Sequence, residues 1–323
     1  MAEELVHIEP YRKLSDRVHA VLGLNPSKFS LQGTNAYIVG TGKYRILIGM
    51  VALFENVGAN YGMIYSYETL TDAAQGIPEF LPLFRESLVK AGAEGISDII
   101  ITHRHHDHTE GIPQVLEAIG TTLPDGSPVR IWKRLTSQDA TPPPYAYTDI
   151  ADKQVWKTEG ATLTGYYTPG HSDDHFTLIL DEENACFTGD NVLGQGTTVF
   201  EQLGTYLASL RKTADLKPAR LYPAHGPIIE QGTAKIEEYI HHRQERENQI
   251  VELLQKTHDL APATEYVGWT SMGLVKVIYA KYPVALHLPA ERSLLQHMDK
   301  LVDEGRVTKS TKDNETLFTL VKA

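Results

Sequence analysis

Cysteine is almost absent from this chain of 323 residues: Cys186 is its one thiol, which excludes an internal disulfide and fits a reducing compartment. Within NACFTGD it reads as a small packed hydrophobe. Long apolar runs are missing as well, since nothing approaches the roughly 20 consecutive apolar residues of a membrane helix. The first residues, MAEELVHIEP, show neither the basic nor the apolar pattern of a targeting segment. Positive charge is scarce, and a net charge of −11 argues against a general nucleic-acid binder while leaving room for a local basic groove. These absences predict an intracellular, water-soluble protein. Its 41% apolar content suffices for one large core, or a core with a small second domain.

The pattern of the chain predicts strands mixed with helices, a layered α/β body. AYIVG, YRILI and DIIIT read as strands, with Gly40, Thr41 and Gly42 as the hairpin turn between the first two. PEFLPLFRESLVKAG reads as a helix with Phe80, Leu83, Phe84 and Leu88 on one face and glycine at its end. TLTGYYTPG, FTLILDE, ACFTGD and ARLYPAHG follow as strands, and YLASLRKTADL as a helix. A long helix is expected over roughly 234–256, burying Ile236, Tyr239, Ile240, Ile250, Val251 and Leu254, with RQERE facing water. Two helical patterns, SMGLVKVIYAKY and ERSLLQHMDKLVDEG, then a short hairpin of RVTKS and ETLFTLV, predict a winged-helix-like satellite. The expected division is a body over 1–231 and this tail over 232–323. The tail carries 12 Lys and Arg against 13 Asp and Glu, so it is far less acidic than the body. Such modules bind nucleic acid in some proteins and serve as packing platforms in others.

Histidine is what the chain concentrates. DIIITHRHHDHTEG, residues 98 to 111, places four histidines and an aspartate between His103 and His108, directly behind three isoleucines of a buried strand. The imidazoles therefore stand at the lip of a core. His103, His105, Asp107 and His108 fall on one side of a turning chain, and neutral imidazole is a common metal ligand. Further candidates end predicted strands: His171 in YTPGHSDDH, Asp190 in FTGD and His225 in YPAHGP. By alternation His106 points off the ligand face. His175 is expected to make a structural hydrogen bond, His241 and His242 to be solvated or packed, and Tyr145 and Tyr147 of the TPPPYAYTDI loop could offer stacking platforms.

The run Thr102, His103, x, His105, x, Asp107, His108, followed by His171, Asp190 and His225, resembles the motif of the metallo-beta-lactamase superfamily. That resemblance implies a four-layer αββα sandwich with two metal ions at one edge. His103, His105 and His171 would hold one metal, Asp107, His108 and His225 the other, and Asp190 would bridge them. An aspartate at position 190, where several true beta-lactamases have cysteine, points away from antibiotic hydrolysis. NPSKFSLQGTNAYIVGTG, KTEGATLTGYYTPGHSDDH, GQGTTVF and IHHRQERE are similar to the beta-lactamase-like protein 2 group over nearly the whole chain, winged-helix tail included. That group is known as mitochondrial single-strand endoribonucleases, and related fungal enzymes hydrolyse polyketide thioesters. One departure stands out. Where the family continues from a strand like RILI into an Asp-centred turn, this chain has a 23-residue insertion, Gly49 to Thr71, and a comparable turn comes only at Asp72. A lid beside the site, an extension that displaces the supporting aspartate and translated sequence that is normally removed are the competing readings of it, and a tolerated surface excursion is the expected form, because long insertions cost little loop entropy.

The ligand set implies a dinuclear metal-dependent hydrolase. Two divalent ions about 3.5 to 4 Å apart share a water, lower its pKa towards neutrality and aim the resulting hydroxide at carbonyl or phosphorus. Asp107 is the expected catalytic residue, both ligating and orienting that nucleophile. Oxygen and nitrogen donors suit two Zn2+ ions, with iron or manganese as alternatives. The expected substrate is single-stranded RNA. The alternatives are a thioester, lactone or other acyl ester, or a catalytically silent scaffold that binds nucleic acid. The expected location is the cytoplasm; the resemblance also points to mitochondria, without a transit-peptide pattern. No oligomeric state follows from these residues.

Overall fold

The structure, a computed structural model, describes residues 4–49, 77–139, 145–260 and 268–321, without the side chains of Gln138 and of residues 257–260. The expected insertion, apart from Gly49, and the turn at Asp72 lie outside the described residues, as do the prolines of TPPPYAYTDI.

Two sheets face each other. The first runs β1 (Tyr11–Lys13), β2 (Val18–Leu22), β3 (Asn35–Val39), β4 (Tyr44–Ile48), β5 (Gly95–Ile100), β6 (Arg130–Lys133) and β7 (Tyr147–Asp149), neighbours in that order. It is antiparallel as far as β4 and parallel from there to β7. The second consists of β8 (Val155–Thr158), β9 (Ala161–Tyr167), β10 (Phe176–Leu180), β11 (Ala185–Gly189) and β12 (Arg220–Pro223), with β11 and β12 the one parallel pair.

The consecutive isoleucines now have a physical reason. Side chains alternate across a strand, and both faces of β5 are covered: Ile100 points to the core between the sheets, whereas Ile99 and Ile101 meet α1 (Phe80–Ala91) and α3 (Ile112–Ile119) on the outside. Tyr37, Val39, Ile46 and Ile48 meet Trp156, Leu163, Phe176, Leu178 and Phe187 in the inter-sheet core. Outside the second sheet, Ile179, Cys186 and Leu221 pack with α4 (Leu203–Asp215) and with Ile236 and Tyr239 of the long helix α5 (Gly232–Leu260). The layers are helix, sheet, sheet, helix. Each fully buried Ile or Phe contributes roughly 1.5–3 kcal/mol by leaving water, so the three apolar interfaces dominate the stability of the body. Cys186 is fully buried among them, as its apolar setting suggests.

The hairpin at Gly40–Gly42 and the predicted helices form, with Phe80, Phe84 and Leu88 buried and Gly92 capping α1 at φ 73°. Short strands rich in polar residues, β1, β6, β7 and β8, and helix α3 carry patterns too brief to stand out in the sequence. Helix α5 belongs to two cores. Its first turns join the body, while Ile250 and Leu254 pack with α6 (Ser271–Ile278), α7 (His287–Asp303) and the hairpin β13 (Val307–Lys312) and β14 (Glu315–Leu320). This tail is the expected two helices and two-stranded wing. One expectation fails: RQERE does not all face water. Arg243 is 7% exposed and Glu247 2%, because that face of α5 is covered by the loop before α4 and by the tail. Among the described residues no helix is long and apolar enough to cross a membrane.

Candidate metal centre

Strand ends deliver the candidate residues to one edge of the sandwich. The chain leaves β5 through Thr102 and His103, reaches His105, and turns through the single helical turn α2 (His106–Thr109), which carries Asp107 and His108. His171 follows β9 after Pro169 and Gly170. Gly170 is required there: its φ is 126°, and a Cβ would lie 2.3 Å from the backbone nitrogen of Tyr206. Asp190 follows β11 and His225 follows β12, where Thr34 bridges to it. All seven predicted residues meet, although as many as 122 positions separate His103 from His225.

They divide into two groups. His103 Nε2, His105 Nδ1 and His171 Nε2 stand 2.9, 3.0 and 3.2 Å from one another. In the other group Asp107 Oδ2 is 3.3 Å from His108 Nε2 and 3.0 Å from His225 Nε2. Asp190 serves both. Its Oδ2 lies 3.5 Å from His171 Nε2 and 3.9 Å from His103 Nε2, and its Oδ1 lies 3.3 Å from His108 Nε2 and 3.2 Å from His225 Nε2.

These distances suit a cation better than hydrogen bonding. Three imidazole nitrogens in a mutual triangle cannot all pair by hydrogen bonds with a single proton each. The edge of a tetrahedron with metal–nitrogen bonds of 2.0–2.1 Å is about 3.3–3.4 Å, close to the separations found. Both ring nitrogens of His108 and the Oδ1 of Asp190 are buried and make no hydrogen bond of good geometry, a costly condition unless some other group satisfies them. The donor set of imidazoles and carboxylates fits divalent zinc, iron or manganese.

Electrostatics separate the halves. Burial, reinforced by neighbouring histidines, holds His103 well below its ordinary pKa and His105 at about 4, and burial lowers His171. For His108 burial is outweighed by Asp107 and Asp190, which raise it to about 9; His225 is raised well above its ordinary value in the same way. The carboxyls of Asp107 and Asp190 are held well below the usual range, the histidine charges overcoming burial. Asp107 and Asp190 thus demand positive charge, which protons or a cation can supply.

A second ring of contacts orients the side chains. His171 Nδ1 donates to the Val199 carbonyl at 2.6 Å, and since a carbonyl only accepts, Nε2 keeps its lone pair for the cluster. Thr34 Oγ1 donates to Asp107 Oδ2 at 3.3 Å and is itself held by Asn25. His175 accepts the backbone N–H of Asp190 at 3.1 Å and has Thr168 Oγ1 3.2 Å from its Nδ1, the structural hydrogen-bonding role expected of it. At the rim, Arg104 pairs with Asp173 and with Glu201, each at 2.5 Å. His106 is exposed and bonds to Glu110, His241 is exposed and pairs with Glu245, and Tyr145 and Tyr147 pack edge to face on α3's side of the sheet. Thr34, Val199 and Arg243 lie within stretches that carry the family resemblance, yet nothing local marks their roles, because they act through contacts 28 to 73 positions away.

Comparison with known proteins agrees with this fold. The metallo-beta-lactamase superfamily matches residues 68–225, and the beta-lactamase associated winged helix domain matches residues 270–315. A beta-lactamase-like protein 2 homolog of Caenorhabditis elegans is 36% identical over 303 residues, covering 94% of this chain and 90% of its own. An atrochrysone carboxyl ACP thioesterase of Aspergillus novofumigatus is 40% identical over 244 residues, 76% of this chain and 65% of its own. A solved beta-lactamase domain protein from Burkholderia ambifaria, 16% identical, superposes with a TM-score of 0.69 over 96% of this chain and 93% of its own, a likeness of fold.

Proposed function

Since the chain belongs to the metallo-beta-lactamase superfamily, among the beta-lactamase-like protein 2 homologs, and is a hydrolase of that superfamily, we propose that it cleaves phosphodiesters of single-stranded RNA with two divalent cations, zinc in the first instance. His103, His105 and His171 would hold one cation, Asp107, His108 and His225 the other, with Asp190 between them. The observation that carries the two-cation part of this reading is the division of Asp190, Oδ2 toward one histidine group and Oδ1 toward the other. Two such cations supply hydrolytic chemistry, acidifying water towards neutrality and polarising the group under attack.

The chain's own residues do the rest. Asp107, whose side chain is 15% exposed, is the catalytic residue: it reaches solvent at the mouth and orients the attacking water by accepting its hydrogen bond. Thr34 keeps that carboxylate aimed by donating to Oδ2, and the Val199 carbonyl keeps the Nδ1 proton of His171 out of the cluster. The winged-helix tail, less acidic than the body and fastened to it through α5, supports RNA as substrate by offering a second surface for the strand. We place the domain boundary near residue 231, with α5 as the shared strut.

An acyl thioester is the second reading, supported by the thioesterase among the relatives and by Arg104, whose charge at the rim is taken up by Asp173 and Glu201 and so is not free for phosphate. Elemental analysis with side-by-side assays on labelled single-stranded RNA and an acyl thioester, with and without chelator, decides between them. The expected result is two cations per chain and RNA cleavage lost on chelation and in Asp107→Ala. Thioester turnover with inert RNA would replace the first reading by the second, and bound metal with no turnover of either would make the chain a scaffold.

A further inference from the structure

His171 depends on a stretch of chain with no regular structure of its own. Residues 191–202 form neither helix nor strand, and the side chain of Val199 is 65% exposed, so neither a ladder nor apolar burial at Val199 fixes the carbonyl that receives the His171 proton. The residues on either side of Val199 are both buried, and one side chain touches both. Arg243, from α5, donates through Nη2 to the Thr198 carbonyl at 3.2 Å, and its guanidinium lies 4.8 Å from the centre of the Phe200 ring. Phe200 is pressed in turn onto Tyr206 of α4, the rings stacked 5.1 Å apart. Thr198 Oγ1 closes the group, 3.0 Å from the Val199 carbonyl and 3.3 Å from His171 Nδ1.

A buried guanidinium is an expensive way to hold a loop. Arg243 faces Tyr206, Tyr239, Tyr279 and Arg246, pairs with no carboxylate among the described residues, and leaves its Nε without a hydrogen bond. A buried charge without an opposite charge is a poor source of stability. What arginine supplies is direction, because its planar fork donates along one edge while its face stacks on an aromatic ring. One turn further along α5, Glu247 binds Lys300 and Arg306 of the tail, each at 2.7 Å, which fixes the helix that presents Arg243.

We propose that Arg243 is a positioning residue for His171: by gripping Thr198 and Phe200 on either side of Val199 it fixes the tautomer of His171 and thereby the affinity of the cation held with His103 and His105. This rests on the metal reading given above, and it makes the unstructured loop and the long helix parts of the metal centre.

The test uses the full chain and Zn2+ alone. Zinc stoichiometry and affinity are measured by competition with a chromophoric chelator for the wild type, His171→Ala, Arg243→Met and Arg243→Lys, and the melting temperature of each is taken after stripping. Partners that orient a ligand are worth about 10–100-fold in metal affinity. Arg243→Met is therefore expected to weaken one of the two ions by that factor, leaving the other ion and the stripped melting temperature near wild type. Arg243→Lys, which keeps a donor and loses the fork, should fall between. If Arg243→Met does not fold, Arg243→Lys decides alone: wild-type affinity for both ions overturns the proposal. Equal weakening of both ions also overturns it, as the mark of general loosening. If the wild type binds no zinc, or His171→Ala binds as the wild type does, the metal reading itself has failed; if those two behave as expected and only the Arg243 variants match wild type, Arg243 alone has been misassigned.

Discussion

Buried histidines in two regions of this molecule keep opposite company. At the edge of the sandwich, the buried His103, His108, His171 and His225, joined by the half-buried His105, turn their nitrogens toward each other and toward Asp107 and Asp190. In the tail, His297 of α7 is fully buried with both ring nitrogens unpartnered and with Arg243, Arg246 and Lys300 among the charges nearest to it, Glu247 being the opposing one. Burial is the same; the neighbours differ. A set of nitrogens converging on carboxylates can exchange protons for a cation, whereas a single imidazole among positive groups can only stay neutral. Convergence marks the chemical site, and burial by itself marks nothing.

The comparison breaks first at Asp190. Asp190→Ala should remove the carboxylate shared by both histidine groups, and a loss of at least about 100-fold in hydrolysis is expected, since even outer partners of a metal site are worth 10–100-fold. Near-normal turnover of RNA and thioester by this variant would mean that the convergence is not the working centre. His175→Ala is a smaller blow, about 10–100-fold in zinc affinity, because it frees the Asp190 backbone N–H without removing a donor to the cluster. Chelator competition measures it.

Much of this was legible in advance, and the reason is local. Four of the seven donors, drawn from both groups, lie within six positions of each other, from His103 to His108, and the remaining three sit just beyond strands whose alternation or apolar runs are plain in the sequence. The strands β1, β6, β7 and β8 were not, being three or four residues long and partly exposed, nor was β2, whose VHAVL is buried throughout and shows no alternation. Arg243 and Glu247 were misread because a charged face on a long helix ordinarily lies in water. Only tertiary packing reveals that one is covered by Phe200 and the other paired with Lys300 and Arg306.

Two further measurements sharpen the contrast. Zinc at about 100 times its dissociation constant should stabilise the fold by about 2.7 kcal/mol, visible as a rise in melting temperature of a few degrees. The same addition to Asp190→Ala should give much less. His297 produces the smallest effect at neutral pH and a distinct one in acid. Burial, with Arg243 next in weight, lowers it from 6.5 to about 3, so the unfolded chain binds its proton first. Stability is then intact above pH 6.5 and falls as the pH drops towards 3. His297→Leu should flatten that part of the curve. A pH profile of unfolding identical to wild type would show that the ring is not kept neutral by the fold.

The order in which the chain is made gives the loop before α4 a temporal meaning. A growing polypeptide that has emerged through residue 225 already possesses every donor of the cluster, yet it lacks the arginine that steadies His171 and the tail that steadies the arginine. Synthesis past residue 306 is needed before the whole bracing chain exists, so a nascent chain that has emerged only through residue 225 would carry all seven donors without Arg243, Lys300 and Arg306 to brace them.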